Sequence, residues 1–209
     1  MKTTPVRSKK KITRKNAESK AVANFLFEVG ILAKTPRSGF HFLGTGEQSV
    51  AEHINRVSFI GYALAQMDGT VDMLKVMKMC LFHDISETRI SDLNYIHQKY
   101  VERKESAAHK DIADSVPFGH DVFGTITEYE QRESKESILV KDADNLEWIL
   151  ALKEEVDTGN TRALEWIKPA ILRLKTPYAK EIAASIMDMD SNDWWFDKDS
   201  KWWVNRNKK

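Results

Sequence analysis

The segment Cys80-Leu81-Phe82-His83-Asp84-Ile85-Ser86-Glu87 sets an imidazole and a carboxylate side by side at the end of the most apolar helical run in the chain. Burying either group without a partner is expensive, so the fold has to supply one. At helical spacing His83 and Glu87 share a face, and Asp84 and Glu87 nearly do. His53 interrupts a second apolar stripe. Asp144, in Lys141-Asp142-Ala143-Asp144-Asn145-Leu146-Glu147, falls in line with Val140, Trp148 and Ala151. Singly, each has a structural reading: His53 as a satisfied core histidine, Asp84 and Glu87 bonded to a neighbouring helix, Asp142 in a salt bridge, Asp144 in a helix–helix bond. Together, two His and two Asp from three helices make an N2O2 set suited to Mn, Fe, Co, Ni or Zn, with positions open for water and substrate. A divalent ion there would acidify water and supply hydroxide at neutral pH. The matching reaction is hydrolysis, most naturally of a phosphate ester, with Glu87 holding or deprotonating the water.

Helices must position these groups. A period of 3.6 runs from residue 20 to about residue 190, and no long stretch alternates as a strand would. The first helix is predicted over Ser19 to Lys34, with Val22, Phe25, Leu26, Val29 and Leu32 on one stripe; Thr35-Pro36 stops it. Residues 35–48 read as a loop with Gly39, Gly44 and Gly46. Ser49-Val50-Ala51-Glu52 is a capping box opening a helix to about Met67, with Val50, His53, Val57, Ile60 and Leu64 on one face. A run from Thr70 to about Thr88, almost wholly apolar between Val76 and Phe82, is predicted to be a central helix packed on several sides. Further helices are expected over 98–115, 120–132, 135–157, 160–175 and 177–189, the last with Pro177 in its first turn. The expected fold class is therefore all-α: a compact bundle of seven or eight helices in one domain over residues 19–190. A flexible basic arm over 1–18 precedes it, and a Trp-rich extension over 191–209 follows. Trp194, Trp195, Trp202 and Trp203 are costly to leave in water and are expected to pack on the bundle or on a partner chain.

Composition narrows the class. Of 209 residues, 42% are apolar and 30% charged, which excludes a fully disordered or collagenous chain. No apolar run reaches the roughly 18 residues that span a bilayer, so no transmembrane segment is expected. The basic N-terminus has no apolar stretch behind it and does not read as a secretory signal. Cys80 is the single cysteine, which excludes an internal disulfide and a Cys-based zinc site and fits a cytoplasmic location. Residues 1–20 hold eight Lys and Arg against Glu18 alone, leaving 24 basic against 30 acidic residues in the rest. An acidic body argues against a stable nucleic-acid partner, whose phosphates need many basic contacts.

The order His53, then His83-Asp84, then Asp144 resembles the H…HD…D signature of the HD-domain metal-dependent phosphohydrolases, and most closely their 5'-deoxynucleotidase branch. Four blocks carry the resemblance: Leu32-Ala33-Lys34-Thr35-Pro36-Arg37-Ser38-Gly39-Phe40, Glu47-Gln48-Ser49-Val50-Ala51-Glu52-His53, Leu81-Phe82-His83-Asp84-Ile85-Ser86-Glu87 with Ser91-Asp92, and Val140-Lys141-Asp142-Ala143-Asp144. The likeness as a whole spans roughly residues 24–155. The resemblance implies that His53, His83, Asp84 and Asp144 are metal ligands and that Glu87 is the catalytic carboxylate. It also implies that Arg37 helps hold the phosphate and that Asp92 meets the sugar near its 3'-hydroxyl. It further implies a helical bundle of the HD-domain type, one divalent ion (Mn, Co or another transition metal), a homodimer, and a nucleoside 5'-monophosphate cleaved to nucleoside and phosphate. Asp142 departs from the amide that many relatives carry and is placed no closer than behind the ligands. Cys80 is expected to be inert, and His97, His109 and His120 to be surface or loop histidines.

Two other readings stay open. The same ligands would serve a nucleoside triphosphate, a signalling nucleotide or another phosphorylated small molecule. A helical nucleotide-sensing module with a merely structural metal is the non-catalytic alternative, against which Glu87 stands, because such a site needs no water-activating carboxylate.

Overall fold

Ser134 starts the longest helix of the molecule by accepting the backbone N–H of Ser137. This helix is the axis of the fold. The computed structural model describes residues 14–205; of the flexible basic arm expected over residues 1–18, residues 1–13 lie outside them, as do residues 206–209, whereas residues 14–18 belong to the first helix. The helices are α1 (Arg14–Val29), α2 (Phe40–Leu43), α3 (Val50–Asp68), α4 (Met73–Phe82), α5 (Glu87–Ile90) and α6 (His97–Tyr100) in the first half. Then follow α7 (Glu105–Asp114), α8 (Gly119–Gln131), α9 (Lys135–Asp157), α10 (Arg162–Arg173), α11 (Pro177–Asp188) and α12 (Trp202–Asn205). The all-α expectation holds; among the described residues the only β feature is an isolated bridge between Pro36 and Ser49. Among the described residues no helix is long and apolar enough to cross a membrane.

Packing assigns the central place to α9 rather than to the run after Thr70. Twelve of its 23 residues are buried, and it packs against α3, α4, α8, α10 and α11. The helix expected over 70–88 instead starts after Asp72, whose carboxylate caps it by accepting from Leu74 and Lys75, and it stops at Phe82. Only one face of α4 is covered: Val76, Met79 and Cys80 are buried, while Leu74 and Leu81 face water. Gly61 of α3 permits the close approach of these two helices, since a Cβ there would lie 2.5 Å from Cys80 Sγ.

Other boundaries move for local reasons. α1 begins at Arg14 and ends at Val29, and a short 3-10 turn over Leu32–Lys34 completes the expected run. On its stripe Phe25 and Leu32 are buried, but Leu26 is exposed. The run expected over 98–115 breaks at Val101, which is extended, so α6 and α7 are separate helices. α3 keeps its predicted capping box, with Glu52 N bonded to Ser49 Oγ and Ser49 N to Glu52 Oε2. His97 and His120 are exposed as expected. His109 is not: it lies on the inner face of α7 beside Ala108 and Ile112 and is buried.

The core divides into two apolar clusters. The larger joins Val57, Leu64, Cys80, Val140, Ala143 and Leu146 with α10 and α11; the smaller joins Val50, Ile54, Ile85, Ile112 and Ile126. His53 lies on α3 one residue before Ile54 of the smaller cluster and four before Val57 of the larger, and His83 lies between Cys80 of the larger and Ile85 of the smaller. The chemically competent side chains thus enter along the seam between two dry regions. The Trp-rich end does not pack over the bundle: Trp195, Phe196, Trp202 and Trp203 stack mainly on one another, and Trp194 stays 82% exposed. Ring-on-ring contact supplies part of the burial that the bundle surface does not.

Asp142 is structural, and its partner is backbone rather than a basic side chain. Its buried carboxylate accepts from Lys175 N, Thr176 N and Thr176 Oγ1, closing the turn between α10 and α11. Charged hydrogen bonds to otherwise unpaired N–H groups are among the costlier ones to delete. Asp142→Ala should therefore lower unfolding stability by ~2–4 kcal/mol in urea titrations, with divalent-metal affinity unchanged in the folded fraction.

Candidate metal centre and substrate cleft

His53 sits one turn into α3, fixed by the cap at Ser49, and is fully buried. His83 and Asp84 sit just past the end of α4, where Ile85 N bonds Phe82 O and Glu87 N bonds Asp84 O. These tighter i→i+3 turns abandon the α-helical path. His83 and Asp84 are neighbours in the chain, and Asp84 Oδ2 lies 3.4 Å from His83 Nε2. Asp144 comes from the middle of α9. The four groups meet: His53 Nε2 lies 3.2 Å from Asp144 Oδ1, 3.5 Å from Asp84 Oδ2 and 3.4 Å from His83 Nε2, and His83 Nε2 lies 3.4 Å from Asp84 Oδ2.

The far side of each imidazole decides what faces the cluster. His53 Nδ1 is bonded at 2.6 Å to Glu147 Oε2, and His83 Nδ1 at 2.9 Å to the Cys80 carbonyl. A carbonyl oxygen can only accept, so His83 Nδ1 carries the proton and its Nε2 presents a lone pair. The Glu147 carboxylate does the same for His53. A histidine oriented through its outer N–H by a carboxylate or carbonyl is the usual setting of a metal-ligating imidazole. His53, His83 and Asp144 offer ligand atoms within 4.8 Å of one another, and Asp84 Oδ2 completes an N2O2 set. The residues present fit a divalent cation.

The electrostatics agree. Burial works against the ionised forms of Asp84 and Asp144, yet both carboxyls are held low, Asp84 by His83, His53 and Arg37, and Asp144 well below the usual range by Lys141, 2.6 Å away, and His53. Burial pushes the His83 imidazole down, toward the neutral form that ligates metals. Burial and Arg37 act likewise on His53, but Asp144 and Glu147 outweigh them, so without a cation a proton is favoured between these two carboxylates. Cys80 is buried, and its thiol is pushed up to about 12, in keeping with an inert residue.

Glu87 is placed differently. It is buried, its Oε2 has no hydrogen-bond partner, and burial together with the charges of Asp84 and Asp92 pushes its carboxyl up to about 10. Arg37 is held by the loop closure that pairs Arg37 N with Gln48 O and Val50 N with Thr35 O. Its guanidinium lies 3.5 Å from Asp84 Oδ2 and 3.7 Å from Asp92 Oδ2. Asp92 also accepts from Ser38 N at 2.9 Å, locking the loop to the segment after α5. All seven residues singled out in the sequence converge: Arg37, His83, Asp84, Glu87, Asp92 and Asp144 line one cavity of about 810 Å³, and His53 lies beneath it. Its lining includes Phe42, Tyr95 and Trp148. This size suits a small-molecule ligand.

Glu147 was the omission. It is fully buried, bonds His53, and is itself held by Gln48 Nε2 at 2.6 Å and Arg56 Nε at 3.0 Å. The signal was its position three residues after Asp144, an acid among Leu146, Trp148 and Ile149.

The sequence pattern of the HD domain family matches residues 29–186. The chain belongs to the HD domain family. It is 31% identical over 136 residues to the 5'-deoxynucleotidase HDDC2 of Danio rerio, covering 62% of this chain and 67% of that protein. To the 5'-deoxynucleotidase YfbR of Escherichia coli O1:K1 / APEC it is 29% identical over 131 residues, 56% of this chain and 65% of the relative. The aligned region thus spans about two thirds of these relatives' length. Among solved structures, a conserved hypothetical protein from Pyrococcus furiosus superposes with a TM-score of 0.69 at 28% identity, over 80% of this chain and 99% of that one.

Two outcomes follow from this HD-domain site. Glu147→Gln weakens the hold on His53 Nδ1, and manganese affinity by calorimetry should fall about 10- to 100-fold with helicity retained. Glu87 has a folded pKa above its unfolded value of 4.5. Between these values the folded state keeps a proton that the unfolded chain has lost, so metal-free stability falls as pH rises. Glu87→Gln removes that penalty. It should raise the metal-free melting temperature at pH 8 by at least about 2–4 °C, the equivalent of ~1 kcal/mol, and change it little at pH 4.

Proposed function

We propose that this HD-domain chain hydrolyses (deoxy)nucleoside 5'-monophosphates to nucleoside and inorganic phosphate, using one divalent metal ion, manganese, cobalt or another transition metal. The observation that carries the reading is the N2O2 cluster on the floor of the cleft with the unbonded carboxylate oxygen of Glu87 beside it. The similarity to the 5'-deoxynucleotidases supports the same substrate class.

In this reading His53, His83, Asp84 and Asp144 hold the ion. When bound, the ion supplies positive charge that offsets the phosphoryl oxygens, acidifies water and favours the ionised form of Glu87. Glu87 takes the proton of the attacking water as its oxygen bonds phosphorus. The bond from phosphorus to the nucleoside 5'-oxygen breaks, that oxygen takes a proton from solvent water, and Glu87 returns its own proton to solvent. Arg37, planar and fully charged, faces the phosphate from the ligand side. Asp92 receives the sugar edge near the 3'-hydroxyl, its orientation fixed by Ser38 N. Aromatic side chains of the lining, Phe42, Tyr95 and Trp148, offer faces for a base. We place the enzyme in the cytoplasm as a homodimer. The lone buried thiol supports the first, and apolar side chains left in water on α1, α3 and α4, such as Phe27, Phe59 and Leu74, support the second.

The test is phosphate release from a panel of nucleoside 5'- and 3'-monophosphates with manganese, cobalt, magnesium or zinc. Metal-dependent cleavage of deoxynucleoside 5'-monophosphates is expected, falling about 10²- to 10⁴-fold in Glu87→Ala. Silence across the panel with metal bound would overturn the assignment and turn attention to triphosphates and signalling nucleotides.

A further inference from the structure

Buried polar atoms without a hydrogen-bond partner are rare in folded proteins and ask for an explanation. Among the described residues six side chains carry one, and four of them line the same cleft: Ser38, Glu87, Arg103 and Arg132. Such a concentration points to a polar ligand. The two arginines are the informative members, because their orphaned atoms, Arg103 Nε and Arg132 Nη1, are permanently charged donors.

Arg132 is also held in an uncommon way. It ends α8 in the left-handed region, at φ 56°, which side chains other than glycine and asparagine seldom adopt. Its guanidinium lies 3.4 Å from the centroid of the Tyr129 ring, and Tyr129 in turn meets His83 edge-on with centroids 5.5 Å apart. One aromatic ring therefore separates this cation from a candidate metal ligand. The Glu130 carboxylate stands 4.0 Å from Nη2, too far for a hydrogen bond. Arg103 comes from the segment between α6 and α7, and its charge acts on Glu87. Arg37, by contrast, already faces Asp84 and Asp92.

We propose that Arg103 and Arg132 form an anion clamp on the wall of the cleft, taking phosphoryl oxygens that Arg37 and the metal-ligand cluster leave uncovered. The clamp deepens the phosphomonoester reading and rests on it for the identity of the anion. Guanidinium forks match a tetrahedral oxyanion with paired N–H donors, which a lysine would not reproduce. The orphaned donors are satisfied when the anion enters, so the clamp acts on binding more than on bond breaking.

The test is calorimetry of inorganic phosphate with the manganese-loaded full chain, beside KM and kcat for a deoxynucleoside 5'-monophosphate. Variants are Arg103→Gln, Arg132→Asn (an asparagine tolerates the left-handed backbone), Arg132→Lys and the double replacement. Arg89→Gln, a change at a surface ion pair with Glu28, is the control. Each neutral replacement should weaken phosphate binding and raise KM about 10- to 100-fold, with kcat much less affected and manganese content unchanged. Arg132→Lys should restore only part of the loss. Unchanged phosphate affinity in the double variant, or losses that track manganese content or helicity, would overturn the clamp. Phosphate binding that depends on both arginines in a chain that cleaves no monophosphate would uphold the clamp and overturn the substrate assignment alone.

Discussion

Glu147 has no exposed surface, yet its carboxyl is held below the usual range, because His53, Arg56 and Gln48 together outweigh the cost of burial. Much of the site depends on that one ionised group. It fixes which nitrogen of His53 faces the cluster, and it ties α3 to α9 through a network that closes only when both helices are correctly placed. A buried ion pair adds little net stability over an apolar pair of the same shape, but removing one partner is strongly destabilising, by about 3–5 kcal/mol. The network therefore acts as a registration device. If α9 slid by a residue along α3, Glu147 and Asp144 would both miss His53.

The two apolar clusters make that device affordable and sharpen it. Core residues such as Val57, Leu64, Leu146 and Ile149 are fully buried, and each contributes roughly 1.5–3 kcal/mol relative to exposure. A handful of them offsets the desolvation of several polar groups. The same dryness strengthens every charge interaction along the seam. Asp144 and Glu87 show the consequence: both are acids in one cleft, but Asp144 has Lys141 and His53 against it, while Glu87 has only more distant arginines and two like charges. One is driven toward ionisation and the other away from it. In the proposed reaction this difference separates a metal ligand from a proton acceptor.

Most of the site was legible because it consists of side chains that violate the apolar pattern around them. His53, His83, Asp84 and Asp144 each stand where a hydrophobic residue would be cheaper, and the cap at Ser49 fixes the turn that carries His53. Glu147 violates the pattern equally, but acids and lysines recur along this long helix, so a single acid on it also reads as an ordinary solvated position. Only the packing of α3 against α9 shows that Arg56 and Gln48 meet it. The end of α4 at Phe82 was hidden for a related reason: no glycine or proline marks it, and the turn is held by i→i+3 bonds that tertiary contacts select. Apolar density misled about the central helix. α4 is richer in apolar residues, but α9 is enclosed on more sides, so it buries polar residues such as Ser137, Asn145 and Lys153 as well. His109 sits on an inward face whose pattern, with Ala108 and Ile112, was too short to separate from the polar run around it.

A fold that only needed to be stable would not concentrate unpaired polar atoms in one place. The remaining two of the six lie outside the cleft lining, at Gln48 and His109, and Gln48 already spends its amide nitrogen on Glu147. The other four face a volume of about 810 Å³ with a seam of converging carboxylates and imidazoles at its base. Donors at Ser38, Arg103 and Arg132 and an acceptor at Glu87 are complementary to a ligand that is anionic where it meets the arginines and delivers a proton where it meets the glutamate. A phosphate ester attacked by water has both properties. The unpaired atoms of this cleft are therefore better understood as half of an interaction than as a defect of packing.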